Sequence, residues 1–72
     1  MQKEIIKLYD EVRQDRDGRD VVTAIFRWDG ANRAVPVLAG KHKVGDVIEV
    51  HLIERYSKEK KQGFKWWECV EE

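Results

Sequence analysis

The residues with the clearest chemical potential are the aromatic and basic side chains interleaved in Phe64-Lys65-Trp66-Trp67. Unpaired nucleic acid is held by aromatic faces on which bases stack, each worth about 1–3 kcal/mol, and by cations that meet its phosphates. Both ingredients are present in these four residues. Read as a strand, the segment puts Phe64, Trp66 and Glu68 on one face and Lys65, Trp67 and Cys69 on the other. The small thiol side chain of Cys69 and its neighbour Trp67 are assigned to the core, which makes Phe64 and Trp66 the candidate stacking platform. In the segment before it, Ile48, Val50 and Leu52 form the inward set, so His51, Ile53 and Arg55 face outward. Arg27, on an earlier segment, is a candidate addition to that surface.

Candidate phosphate contacts come from two basic stretches. One carries Arg55, Lys58, Lys60, Lys61 and Lys65 against Glu59 alone; the other carries Arg27, Arg33, Lys41 and Lys43 against Asp29 alone. Residues 10–20 are instead acidic, with five carboxylates against three arginines. If the two basic stretches converge, the patch would bind phosphate with an affinity that falls with salt. The chain as a whole gives no such help, because 14 Lys and Arg are balanced by 14 Asp and Glu, and a globally basic domain is the usual footprint. A bland reading therefore stands beside the functional one. A lysine-rich turn is ordinary solvated surface, and three tryptophans suit the filling of a small core. A rival of another class also stands: a protein-interaction module, self-pairing or not, that offers an exposed aromatic patch or an open strand edge.

Catalysis finds no support. Ser57, Thr23 and Cys69 are the available nucleophiles, and none has a His and an acid in a local motif. Asp15 and Asp17 are explained by turn chemistry. Gly40 and Gly45 lack the Lys-Ser/Thr of a phosphate-binding loop and precede a strand. His42, His51 and Cys69 do not have the paired spacing of a zinc site, so neither metal nor cofactor is assigned.

The elements that must position these residues are strands. At 72 residues the chain has room for one domain, residues 1–72. Residues 21–28 are rich in β-branched and aromatic side chains, between turn signals at Asp17-Gly18 and Asp29-Gly30. Residues 33–38 form a short strand whose Pro36 places it at an edge or bulge, since proline donates nothing to a ladder. A glycine-bounded loop follows, then an alternating strand over residues 47–56 and a returning strand over residues 64–70, which together make a hairpin. The first segment has two readings. Ile5, Leu8, Tyr9 and Val12 have helical spacing, whereas Ile6, Leu8 and Val12 share one face of a strand, and the strand is favoured by the hairpin-like turn after it. The expected fold is a mostly β, five-stranded small barrel, OB-like or SH3-like, the alternative being an N-terminal helix packed on a four-stranded sheet. Without a long apolar run, and with one cysteine, the expected location is the cytoplasm, away from membranes.

Val35-Pro36, the loop ending Val44-Gly45-Asp46, the alternating Ile48, Val50 and Leu52 with Glu54, and the closing Trp67, Cys69 and Val70-Glu71 resemble, in that order, the second half of a TRAM domain. The resemblance covers residues 20–71, with Val21-Val-Thr-Ala-Ile-Phe-Arg-Trp28 standing where that family commonly has a glycine-rich strand. It implies an OB-like barrel acting as an RNA-binding accessory to translation or RNA-modification machinery.

Overall fold

The computed structural model describes residues 1–70, so Glu71 lies outside the described residues. Among the described residues seven strands run in chain order: β1 (Gln2–Glu4), β2 (Lys7–Leu8), β3 (Arg13–Gln14), β4 (Asp20–Trp28), β5 (Ala31–Leu38), β6 (Val47–Ser57) and β7 (Gln62–Cys69). All pairings are antiparallel, in two sheets. One has the order β1-β6-β7; in the other β4 is flanked by β5 and by β2 and β3.

The three short strands are one interrupted strand. Residues 7–8 and 13–14 both run along β4, with a register that slips by two residues between Leu8↔Ala24 and Arg13↔Val21, the signature of a bulge. No helix occurs among the described residues. The alternation expected for the first segment fails at Ile5, where the chain passes from one sheet to the other. The Ile5 N–H donates to the Asp46 carbonyl and the Ile6 N–H to the Ile25 carbonyl, each at 2.8 Å. Because of this transfer Ile5 is fully buried, while Ile6 and Val12, expected to share one strand face with Leu8, are 41% and 55% exposed.

Asp29 and Gly30 have φ of 51° and 75°, positive at both central positions as a type I′ turn demands, and this turn matches the twist of the strands it joins. The two-residue loop makes Trp28 and Ala31 a hydrogen-bonded pair, and bonding then alternates down the ladder to Val21↔Leu38. Pro36 falls on a non-bonded position opposite Thr23, so its missing N–H would have faced away from β4. The edge placement expected from Pro36 is the one observed.

Buried Ile5, Val22, Ala24, Phe26, Val35, Val37, Ile48, Val50 and Trp67 form the core between the sheets. Trp67 packs edge-on against Phe26, with centroids 5.0 Å apart, and against Trp28 at 5.2 Å. Such edge-to-face geometries are among the favoured ones for aromatic pairs. β5 packs beside β7, but no ladder joins them. The closed five-stranded barrel expected from the strand count therefore does not form. Closure needs a continuous ring of ladders, and here the ring is open at one seam.

Candidate nucleic-acid interface

The β6–β7 ladder sets the site. Its register pairs His51 with Glu68, Ile53 with Trp66 and Arg55 with Phe64, and directly opposed residues share a face. Leu52 and Trp67, one position along, are also paired and turn toward the core. The outward face thus runs from Glu49 and His51, through Ile53 and Trp66, to Arg55 and Phe64. The assignment of Trp67 to the interior holds, with 8% exposure, while Phe64 and Trp66 are exposed at 39% and 38%. Cys69 is half-buried.

Charge is graded along this face. At one end the hairpin turns through residues 58–61, which carry Lys58, Lys60 and Lys61, and the Lys60 ammonium lies 6.0 Å from the centre of the Phe64 ring. Lys65 belongs to the opposite face, paired with Glu54 at 3.7 Å. At the other end the face is acidic. The Trp66 indole N–H donates to Glu68 Oε1 at 2.9 Å, and Glu49 binds the N-terminal ammonium and lies 3.6 Å from His51 Nε2. The hydrogen bond from that ammonium holds the Glu49 carboxyl below its ordinary range, with the His51 charge adding a smaller share.

The second basic stretch does not join the first. Arg27 and Arg33 lie on the β4–β5 hairpin in the other sheet. The Arg27 guanidinium donates to the Gly30 carbonyl at 3.3 Å. Arg33 lies across the ladder from Phe26, its guanidinium 5.3 Å from the centre of the Trp28 ring and its Nε buried without a hydrogen-bond partner. Lys41 borders a shallow depression with His42 and Val47. That is the start of β6, roughly 30 Å along the strand from the lysine turn at 3.3 Å per residue. Lys43 is held nearby, its backbone N–H donating to Asp46 Oδ2 at 3.0 Å. Of the candidate residues, His51, Arg55, Lys58, Lys60, Lys61, Phe64 and Trp66 come together on one hairpin, with Lys65 on its reverse side. Arg27, Arg33, Lys41 and Lys43 do not.

Two features were not singled out from the sequence. Glu68 orients the Trp66 indole, a role that the i, i+2 spacing on one strand face makes visible once strand direction is known. The second is the seam, an open groove of about 740 Å³ between Ala34, Pro36 and Leu38 of β5 and residues 65–69 of β7. The Val70 N–H donates to the Glu49 carbonyl, which makes Glu49/Val70 a bonded pair and, by alternation, directs the N–H and C=O of Gly63, Lys65 and Trp67 toward this seam. Its rim is the turn before β4. There Asp15 accepts from the backbone N–H groups of Asp17 and Arg19 and from the Arg19 side chain, each at 2.9 Å. These bonds, that from the Arg19 backbone foremost, hold the Asp15 carboxyl below its ordinary range.

No family model, curated protein or solved structure matches the chain. Among the described residues no helix is long and apolar enough to cross a membrane.

Proposed function

We propose that this chain is a non-catalytic binding domain for single-stranded RNA or DNA, which it holds on the outward face of the β6–β7 hairpin. The observation that carries the reading is the joint exposure of Phe64 and Trp66 on that face, at the same end as Arg55, Lys58, Lys60 and Lys61. Alternate strand residues lie about 7 Å apart, twice the roughly 3.4 Å rise between stacked bases of one strand. A strand laid along β7 would have to unstack, with one base on each ring, and a duplex cannot do this without opening. The finer assignments belong to the same proposal: an OB- or SH3-like barrel left open at one seam, TRAM-like in its RNA-binding role and working in the cytoplasm.

The test is tryptophan fluorescence during titration with short single-stranded oligonucleotides at low and moderate salt. Quenching that weakens as salt rises is expected. A flat signal at low salt would overturn the proposal.

A second reading has its own observation, the unpaired β7 edge. Here a strand from a partner, or from a second copy, adds to Gly63, Lys65 and Trp67. Lys65→Pro removes one edge-directed N–H without touching the ladder to β6. A concentration-dependent rise in mass that this variant abolishes would favour the edge; a monomer at all concentrations counts against self-pairing.

A further inference from the structure

We infer that Glu68 makes the Trp66 platform selective for guanine. The inference rests on the nucleic-acid reading above and adds a base preference to it. A bare aromatic platform is indifferent to sequence, because every base has a stacking face. Trp66 is not bare. Its indole N–H is bonded to Glu68 Oε1 at 2.9 Å, so a carboxylate is held at the edge of the ring on which a base would stack.

That carboxylate has acceptor capacity to spare. An ionised Glu offers about four lone-pair sites on two oxygens, and the indole N–H occupies one of them. No Lys or Arg side chain pairs with Glu68 among the described residues. His51 lies across the ladder from it, but its Nε2 is the atom 3.6 Å from Glu49. Glu68 is exposed and borders the open groove along β7.

A carboxylate accepts and cannot donate, so it favours a base edge that presents adjacent donors. Guanine alone among the common bases does this, with its N1–H beside its N2 amine. Adenine and cytosine each place an acceptor nitrogen next to the amine, and uracil and thymine flank their single N–H with two carbonyl oxygens. A base edge matched in this bidentate way is discriminated on the order of tenfold or more from mismatched ones. The same charge repels phosphate. It directs the backbone toward the end of the face near Arg55 and the lysine turn, with the guanine lying on the Trp66 side.

The experiment compares four octamer probes by tryptophan quenching: oligothymidine, and oligothymidine with one central guanosine, adenosine or inosine. Inosine keeps N1–H and lacks the N2 amine. The guanosine probe should bind on the order of tenfold more tightly than the adenosine probe, with inosine between them. Glu68→Gln, whose folding is checked by circular dichroism, should bring the guanosine probe down to the level of the adenosine probe, since an amide oxygen accepts but its NH2 meets a donor. Equal quenching by all four probes, or a guanosine preference that survives Glu68→Gln, would overturn the inference and leave single-strand binding standing. Silence with every probe would instead remove the reading beneath it.

Discussion

The β4–β5 and β6–β7 hairpins are matched in ladder length, each with eight facing pairs, and differ in what surrounds them. β4 is enclosed: β5 lies along one edge, the interrupted N-terminal strand along the other, and Val22, Ala24 and Phe26 point into the core. In the second hairpin β6 likewise lies between β1 and β7, but beyond Leu52 and Trp67 the hairpin carries no buried residue up to its turn. Buried side chains as far as Phe26, close to its turn, make the first hairpin the stabilising unit. The second runs beyond the core and ends in aromatic surface that its own fold does not use.

Substitutions can break this division, and the largest effect belongs to the first hairpin. Phe26→Ala removes a fully buried ring in edge contact with Trp67. It should cost about 3–5 kcal/mol, comparable to what a core of this size supplies, and abolish the cooperative thermal transition followed by circular dichroism. Trp66→Ala on the second hairpin should show the opposite profile. Oligonucleotide affinity should fall about 5- to 150-fold, the equivalent of 1–3 kcal/mol per stacked base, read by anisotropy of a labelled probe, with only a small shift in melting temperature. If Trp66→Ala melts the domain as Phe26→Ala does, the division between the hairpins is wrong.

Smaller effects sharpen it. Gly30→Ala forces a side chain into φ of 75°, at a cost of about 1–2 kcal/mol, and should lower the melting temperature by roughly 4–8 °C per kcal/mol without changing binding. Replacing Lys58, Lys60 and Lys61 together by Gln should flatten the dependence of log affinity on log salt by about 2, at roughly 0.7 per phosphate contact on a single strand, while leaving the melting temperature nearly unchanged. The smallest effect concerns the seam's rim. Asp15 has a carboxyl held below its ordinary range by Arg19 and Asp17, so its contribution is complete above the usual carboxylate pKa near 4 and fades as pH falls through the lowered folded value. Melting temperatures measured from pH 7 down to pH 3 should show a shallower acid decline in Asp15→Asn than in the parent.

Much of this arrangement is legible from residue types. The alternation of Ile48, Val50 and Leu52, the Asp29-Gly30 turn and the edge role of Pro36 are local signals, and each corresponds to the geometry found. The division of Trp66 from Trp67 follows from period-two alternation, given that one face must be buried. What fails is whatever depends on partners distant in sequence. Ile5 and Ile6 cannot be ordered by alternation because the chain changes sheets between them. The Arg27–Lys43 and Arg55–Lys65 stretches look alike in composition, yet they belong to different parts of the fold. Whether β5 and β7 join depends on the meeting of strands distant in sequence, which composition does not report.

The transfer at Ile5 also orders events in time. β4 and β5 can zip from their two-residue turn by local steps, but β1 must wait for β6, because Gln2 pairs with Glu49 and Ile5 bonds to Asp46. On a ribosome the first strand is made early and finds its partner only after more than forty further residues have emerged. Contacts of such long sequence separation slow folding. Until β6 arrives, the Ile5 side chain lacks Ile48 and Val50, the part of the core that β6 brings to it.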